Sequence, residues 1–280
     1  MIPRIIPIIT SISLLFTASA SAQFLSRSTA SGDNDVEFSK RMPRQQNLNG
    51  NVRSAETTGW TIYRYETLAD AASFALAQES PGRLDITGSV VVPGEQWRVR
   101  FYFKDDADKY FPVADVLFDD ANGHTVVPGG AVAPLSAAEL AMIKAGELVE
   151  TTQALPCEDS EYKTVVIPSP SGDGSICVYR LRESMEAGRI PEGQHMRYNV
   201  SADGSTITAQ REFARRCNMP SIGLTDGSGN TPEFNLTHTM DSQPTEVHIY
   251  LSLRYDVSIY LATLPSNLYW RIIDGTAWVD

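Results

Sequence analysis

Histidine, cysteine and basic charge are all scarce in this chain of 280 residues. Its four histidines and three cysteines never fall at the spacing of a zinc knuckle or a C-x-x-C redox pair. Only 23 Lys and Arg stand against 34 Asp and Glu, a net charge of −11. Such a surface repels phosphate backbones and anionic lipid headgroups, which argues against nucleic-acid and membrane-surface partners. Beyond the first residues no stretch approaches the roughly 20 apolar residues of a membrane-spanning helix. The phosphate-binding P-loop and the glycine fingerprint of dinucleotide sites are missing. Gly227-Ser228-Gly229 lacks the strand-to-helix context of a nucleophile elbow and reads as a flexible loop. Asp226, Ser228 and Asn230 alternate like the start of a calcium loop, but its later glycine and glutamate are absent. The acidic run from Lys104 to Asp120 reads as a solvated face.

What is present begins with "MIPRIIPIITSISLLFTASASAQ". One basic residue, a short apolar run and an Ala20-Ser21-Ala22 terminus predict a secretory signal peptide over residues 1–22. Its removal takes Arg4 from the 23 basic residues and leaves 22 against 34, or −12. The protein is therefore expected to be exported, to the periplasm or outside the cell, where disulfides form. Cys157 ("LPCEDS") and Cys217 ("RRCNMP") lie beside prolines at element ends and are the expected pair, although spacing alone does not fix connectivity. Cys177 sits within the strand-like "SICVYRL", where it passes as a small buried hydrophobe.

Residues 23–59 are polar and show no sustained apolar period, so they read as a disordered arm. A first α+β unit is expected over 60–150. "WTIYRY" alternates like a strand, and "TLADAASFALAQE" reads as a helix with Thr67 and Asp70 at capping-box spacing. "LDITGSVVV" and "QWRVRFYF" follow as strands, then a hairpin about Asn122-Gly123. "PLSAAELAMIKAG" is a helix opened by Ser136 and Glu139, with Gly146 placed to end it. A second unit, 151–280, carries Asp173-Gly174, Asp203-Gly204 and Asp274-Gly275 between strand-like runs, which predicts successive antiparallel hairpins. The fold class is α+β, strand-rich with antiparallel hairpins and a few short helices, in two small domains or two lobes of one body.

Chemistry-bearing residues concentrate in "THTMDSQPTEVHIY". His238, Asp241 and His248 are donors that a divalent transition metal favours, and Glu246 is the candidate general base. "EFNLTH" predicts a strand ending at His238. "TEVHIYLSLRY" fits a helix begun near Ser242 or Gln243, although it also alternates like a strand. His124 and His195 are isolated, the latter with only Glu192 nearby.

This order of strand, histidine, polar loop, helix and the strand "IYLAT" resembles the second half of JAB/MPN metallopeptidase domains, over the last 50 residues or so. The family's His-x-His pair and later Asp hold zinc, with a Ser before the Asp and an upstream Glu as acid/base. Matched to that pattern, His238 is the first His, Met240 falls where the second should be, Thr245 stands for the Ser and His248 for the Asp. No upstream Glu can be matched. The resemblance thus implies a degenerate domain. "PTE-VH" and the terminal "W-x-I-x-DG" also resemble segments of exported bacterial proteins, a likeness that implies export and no activity.

The expected function is a non-catalytic binding or envelope-associated module without a cofactor, whose partner is an unspecified protein or small molecule. The alternative is a metal-dependent hydrolase of degenerate JAB/MPN-like type holding zinc at His238, Asp241 and His248. An inhibitory protein acting by surface complementarity is a third reading that export and acidity accommodate.

Overall fold

The computed structural model describes residues 50–80, 85–119, 123–152, 157, 160–184, 186, 188–222 and 231–279. The expected signal peptide, residues 23–49 of the expected arm, Pro81-Gly82, Asn122 and the Asp226–Asn230 loop lie outside them.

The described chain begins with α1 (Gly50–Glu79), ten residues before the expected start of structure. "WTIYRY" is part of this helix and not a strand. Val52, Ala55, Gly59, Ile62 and Glu66 are buried in steps of three and four, a helical stripe that also includes Glu56 and Thr58. Two glutamates, a threonine and a glycine hid that stripe from a reading based on apolar residues. Thr67 is mid-helix, and its hydroxyl donates back to the Tyr63 carbonyl instead of capping.

Three four-stranded sheets surround this helix. β1 (Gly88–Val92), β2 (Trp97–Lys104), β3 (Tyr110–Phe118) and β4 (His124–Pro128) form an antiparallel meander. α2 (Ala137–Thr152) follows. Its capping box closes as expected: Ser136 N–H donates to Glu139 Oε2 at 2.6 Å, and Glu139 N–H donates to Ser136 Oγ at 3.2 Å. The helix runs through Gly146 instead of ending there. A β-carbon on Gly146 would stand 3.2 Å from Val166 Cγ2, so this glycine lets the helix lie close to the next sheet.

That second sheet is another meander, β5 (Tyr162–Pro168), β6 (Ile176–Arg182), β7 (Met196–Val200) and β8 (Ile207–Glu212). The third runs β12–β11–β10–β9. Here β9 (Glu233–His238) leads through α3 (Glu246–Tyr255) to β10 (Ser258–Thr263), which pairs with β9 in parallel. β11 (Leu268–Ile273) and β12 (Thr276–Val279) complete it as antiparallel neighbours. The fold is α+β and strand-rich, and each Asp-Gly pair read from the sequence lies at a hairpin turn, with φ of 80° at Gly174, 75° at Gly204 and 68° at Gly275. Glycine alone enters that region without strain from a β-carbon.

Residues 246–252 of α3 are all buried, between α1 on one side and the third sheet on the other. A helix covered nearly all round has no polar face, which is why its periodicity was ambiguous with a strand. The closest approach is at Gly59 of α1, where a β-carbon would meet Ile249 Cβ at 2.5 Å and the Glu246 carbonyl oxygen at 2.7 Å. One hydrophobic core includes Val99 and Val116 of the first sheet, Ile167 and Leu181 of the second, and Ile259 and Ile272 of the third.

The disulfide joins Cys157 to Cys217, as the sequence suggested, and Cys177 is free and buried. It closes a separation of 60 residues around the second sheet. Loop-entropy arithmetic assigns roughly 4 kcal/mol to a loop of that length.

Candidate functional site

The second meander presents two arginines side by side. Arg197 on β7 and Arg211 on β8 are direct cross-strand partners, so both side chains leave the same face of the sheet. Like charges in that arrangement repel, and the chain answers each with a carboxylate from one loop. Between β9 and α3, residues 239–245 carry Asp241, and Glu246 opens the helix. Arg197 Nη1 donates to Glu246 Oε1 at 2.7 Å, and Arg211 Nη2 donates to Asp241 Oδ1 at 2.8 Å. Tyr179 of β6 lies under the first pair and donates its hydroxyl to the same Glu246 oxygen at 3.3 Å. Phe213 lies under the second, with the Arg211 guanidinium 4.7 Å from its ring centre.

These residues form one wall of a cleft of about 620 Å³. The N-terminal turns of α1 add Asn51, Ser54 and Thr58 to its lining, the β5–β6 turn adds Ser169, Ser171 and Asp173, and Cys177 and Asn199 lie on the sheet. Among the described residues the lining holds no aromatic side chain and little aliphatic surface. The side chains of Arg197 and Arg211 are 26% and 32% exposed, so each arginine stays part-exposed at the cleft wall while it holds its carboxylate.

Asp173 accepts from both the N–H and the hydroxyl of Ser175, at 2.9 and 2.6 Å. These bonds hold its carboxyl below the usual range and keep it charged. Burial pushes the Cys177 thiol up, so it stays protonated. It is therefore a poor nucleophile, since the thiolate is the reactive form.

The histidines behind the loop come together, but not as metal ligands. His238 Nε2 donates to Asp241 Oδ2 at 2.8 Å, an acceptor whose other oxygen already holds Arg211. The His238 bond and the Arg211 charge keep the Asp241 carboxyl below its ordinary value. His248 closes a capping box. Its Nδ1 accepts the Thr245 N–H at 3.0 Å and lies 3.0 Å from the Thr245 hydroxyl. The two rings meet edge to face with centres 4.7 Å apart. Burial, reinforced by His238, drives the His248 pKa well below the usual histidine value. Among the described residues no three His, Cys, Asp or Glu side chains are grouped to hold a metal ion. The expected zinc set His238, Asp241 and His248 is not gathered as one among the described residues: His238 and Asp241 bond each other, and His248 Nδ1 faces Thr245.

Glu246, the candidate base, is buried and ion-paired to Arg197. His195 is fully buried. Its Nδ1 accepts the Arg182 N–H at 3.2 Å and Nε2 donates to the Pro191 carbonyl at 2.8 Å, while burial lowers its pKa to about 4. It is a neutral brace between β6 and the irregular segment leading into β7. His124 is near the surface, 3.3 Å from Glu79.

Sequence reading found the loop and missed its partners Arg197 and Arg211. The signal was there in the Asp203-Gly204 turn, which sets the two arginines opposite one another once strand pairing is counted outward. A bulge at Asn199/Val200 shifts the register and obscures that count. No family model matches the chain, and no curated protein or solved structure matches it.

Proposed function

We propose that the protein is an exported, non-catalytic binding module whose ligand lies in the cleft between the paired arginines, the start of α1 and the Asp241–Glu246 loop. The observation that carries this reading is the pair of part-exposed arginines, Arg197 and Arg211, held side by side in the wall of a polar cleft. A ligand that supplies acceptors to their remaining N–H donors is met by groups that the carboxylates already orient. Support for export is the sequence of residues 1–22 and the Cys157–Cys217 disulfide, a bond of oxidising compartments.

Support for binding without turnover is the engagement of every candidate catalytic group. Glu246 serves Arg197, His238 serves Asp241 and His248 serves Thr245. The reading is tested by thermal unfolding in the presence of small polar solutes against apolar ones of equal size. Polar solutes alone are expected to raise the midpoint, and the rise is expected to vanish in Arg197→Met. A midpoint raised equally by apolar solutes, or unchanged by either set, would sink it.

A further inference from the structure

The cleft's charges specify its ligand more narrowly than its polarity does, a specification that rests on the cleft being the binding site. Two cations, Arg197 and Arg211, share the lining with three carboxylates, Asp173, Asp241 and Glu246. Asp241 and Glu246 are already spent on the arginines. They orient the guanidiniums without exhausting them: both side chains stay part-exposed, and the bonds to carboxylates use Nη1 of Arg197 and Nη2 of Arg211. A guanidinium carries five N–H donors in a fixed fork, and carboxylates match that fork. Asp173, on the β5–β6 turn, is exposed, ionised and outside these ion pairs.

A dianionic phosphate would set two negative charges against the carboxylates fixed beside the arginines, where a terminal carboxylate sets one. A neutral sugar would leave Asp173 without an opposite charge, and among the described residues the cleft offers no aromatic ring for a sugar face to stack on. A ligand with one carboxylate and one ammonium satisfies both ends at no change in net charge. Its polar middle would find Asn51, Asn199 and Gln243. A cleft of about 620 Å³ is larger than a single amino acid needs.

We infer that the cleft takes a short zwitterionic peptide, with its terminal carboxylate between Arg197 and Arg211 and its terminal ammonium toward Asp173.

The test is calorimetric titration of the purified protein with the tripeptide Ser-Ala-Ser bearing free ends. The same peptide amidated at its C-terminus or acetylated at its N-terminus, inorganic phosphate and the disaccharide trehalose serve as the other probes. The free peptide is expected to bind, with amidation weakening it about tenfold or more and acetylation weakening it less, since a charge-assisted fork is lost in one case and a single ion pair in the other. Arg211→Met is expected to bind free and amidated peptides with nearly equal affinity, which a merely destabilised cleft would not do. Equal binding of the free and amidated peptides to the unaltered protein overturns the inference, whatever the variant does. Binding of phosphate in preference to peptide also overturns it. Trehalose binding without peptide binding removes the zwitterion and keeps the cleft as a polar site, whereas no heat from any probe removes both.

Discussion

Two clusters of ion-paired charge in this molecule use the same residue types to opposite ends. In the first, Arg100 of β2 is 2% exposed. It grips Asp115 of β3 through two bonds of 2.8 Å, and it donates to Glu139 of α2 at 3.2 Å and to the Pro134 carbonyl at 3.3 Å. Arg98 completes the set with a 3.0 Å bond to Glu139. Both Glu139 oxygens and both Asp115 oxygens are used, and the cluster fastens the first sheet to the start of α2. In the second, Arg197 and Arg211 each hold one carboxylate, keep donors in hand and line a cleft. A network centred on an arginine that solvent does not reach is architecture, because removing that arginine strands the carboxylate it grips. One whose arginines are each part-exposed at a cleft wall retains capacity for a partner from outside.

The contrast breaks if the first cluster tolerates loss or the second does not. Arg100→Met strands Asp115 and Glu139 and is expected to cost about 3–5 kcal/mol by urea unfolding, the range for removing one partner of a buried pair. A loss below about 1 kcal/mol would place the two clusters in one class. His195 offers a second, milder test of a closed buried site. Folded His195 is neutral with a pKa of about 4, against 6.5 ordinarily, so the unfolded chain binds its proton first. Stability is therefore full above pH 6.5 and falls as pH drops toward 4, by about 2 kcal/mol at pH 5 from this group. His248 acts in the same direction. Urea midpoints between pH 7 and 5 report the slope, and His195→Gln is expected to flatten it.

Arg211 is a third exposed, and Arg211→Met is expected to change stability by less than about 1 kcal/mol while abolishing the cleft's preference for a carboxylate. A large loss of stability there would assign the second cluster to architecture after all. The smallest expected effect is that of zinc, which should neither bind stoichiometrically nor shift the unfolding midpoint. Bound zinc that disappears in His238→Ala would restore the hydrolase reading and overturn the division between the two clusters.

Legibility from sequence followed the range of the interaction. Hairpin turns, the Ser136–Glu139 capping box and the disulfide pair were readable, because a few adjacent residues or a small set of cysteines determine them. The α1 stripe was not, because its buried face includes Glu56 and Glu66, whose partners lie far along the chain. Glu66 meets Lys163 of β5 at 3.3 Å and Arg254 of α3 at 3.1 Å. The His238–His248 stretch was recognised as special for its residue types, yet its roles depended on Arg211 and on the geometry of Thr245. Neither could be inferred from proximity in the chain.

Glu56 accepts the backbone N–H of Ala277 at 2.8 Å, across 221 residues of sequence. The first described helix thus hydrogen-bonds to the last described strand, and this contact forms only after the chain has been made through β12. Loop-closure entropy must be met before it rewards the fold, which slows folding relative to a helix packed on its neighbours.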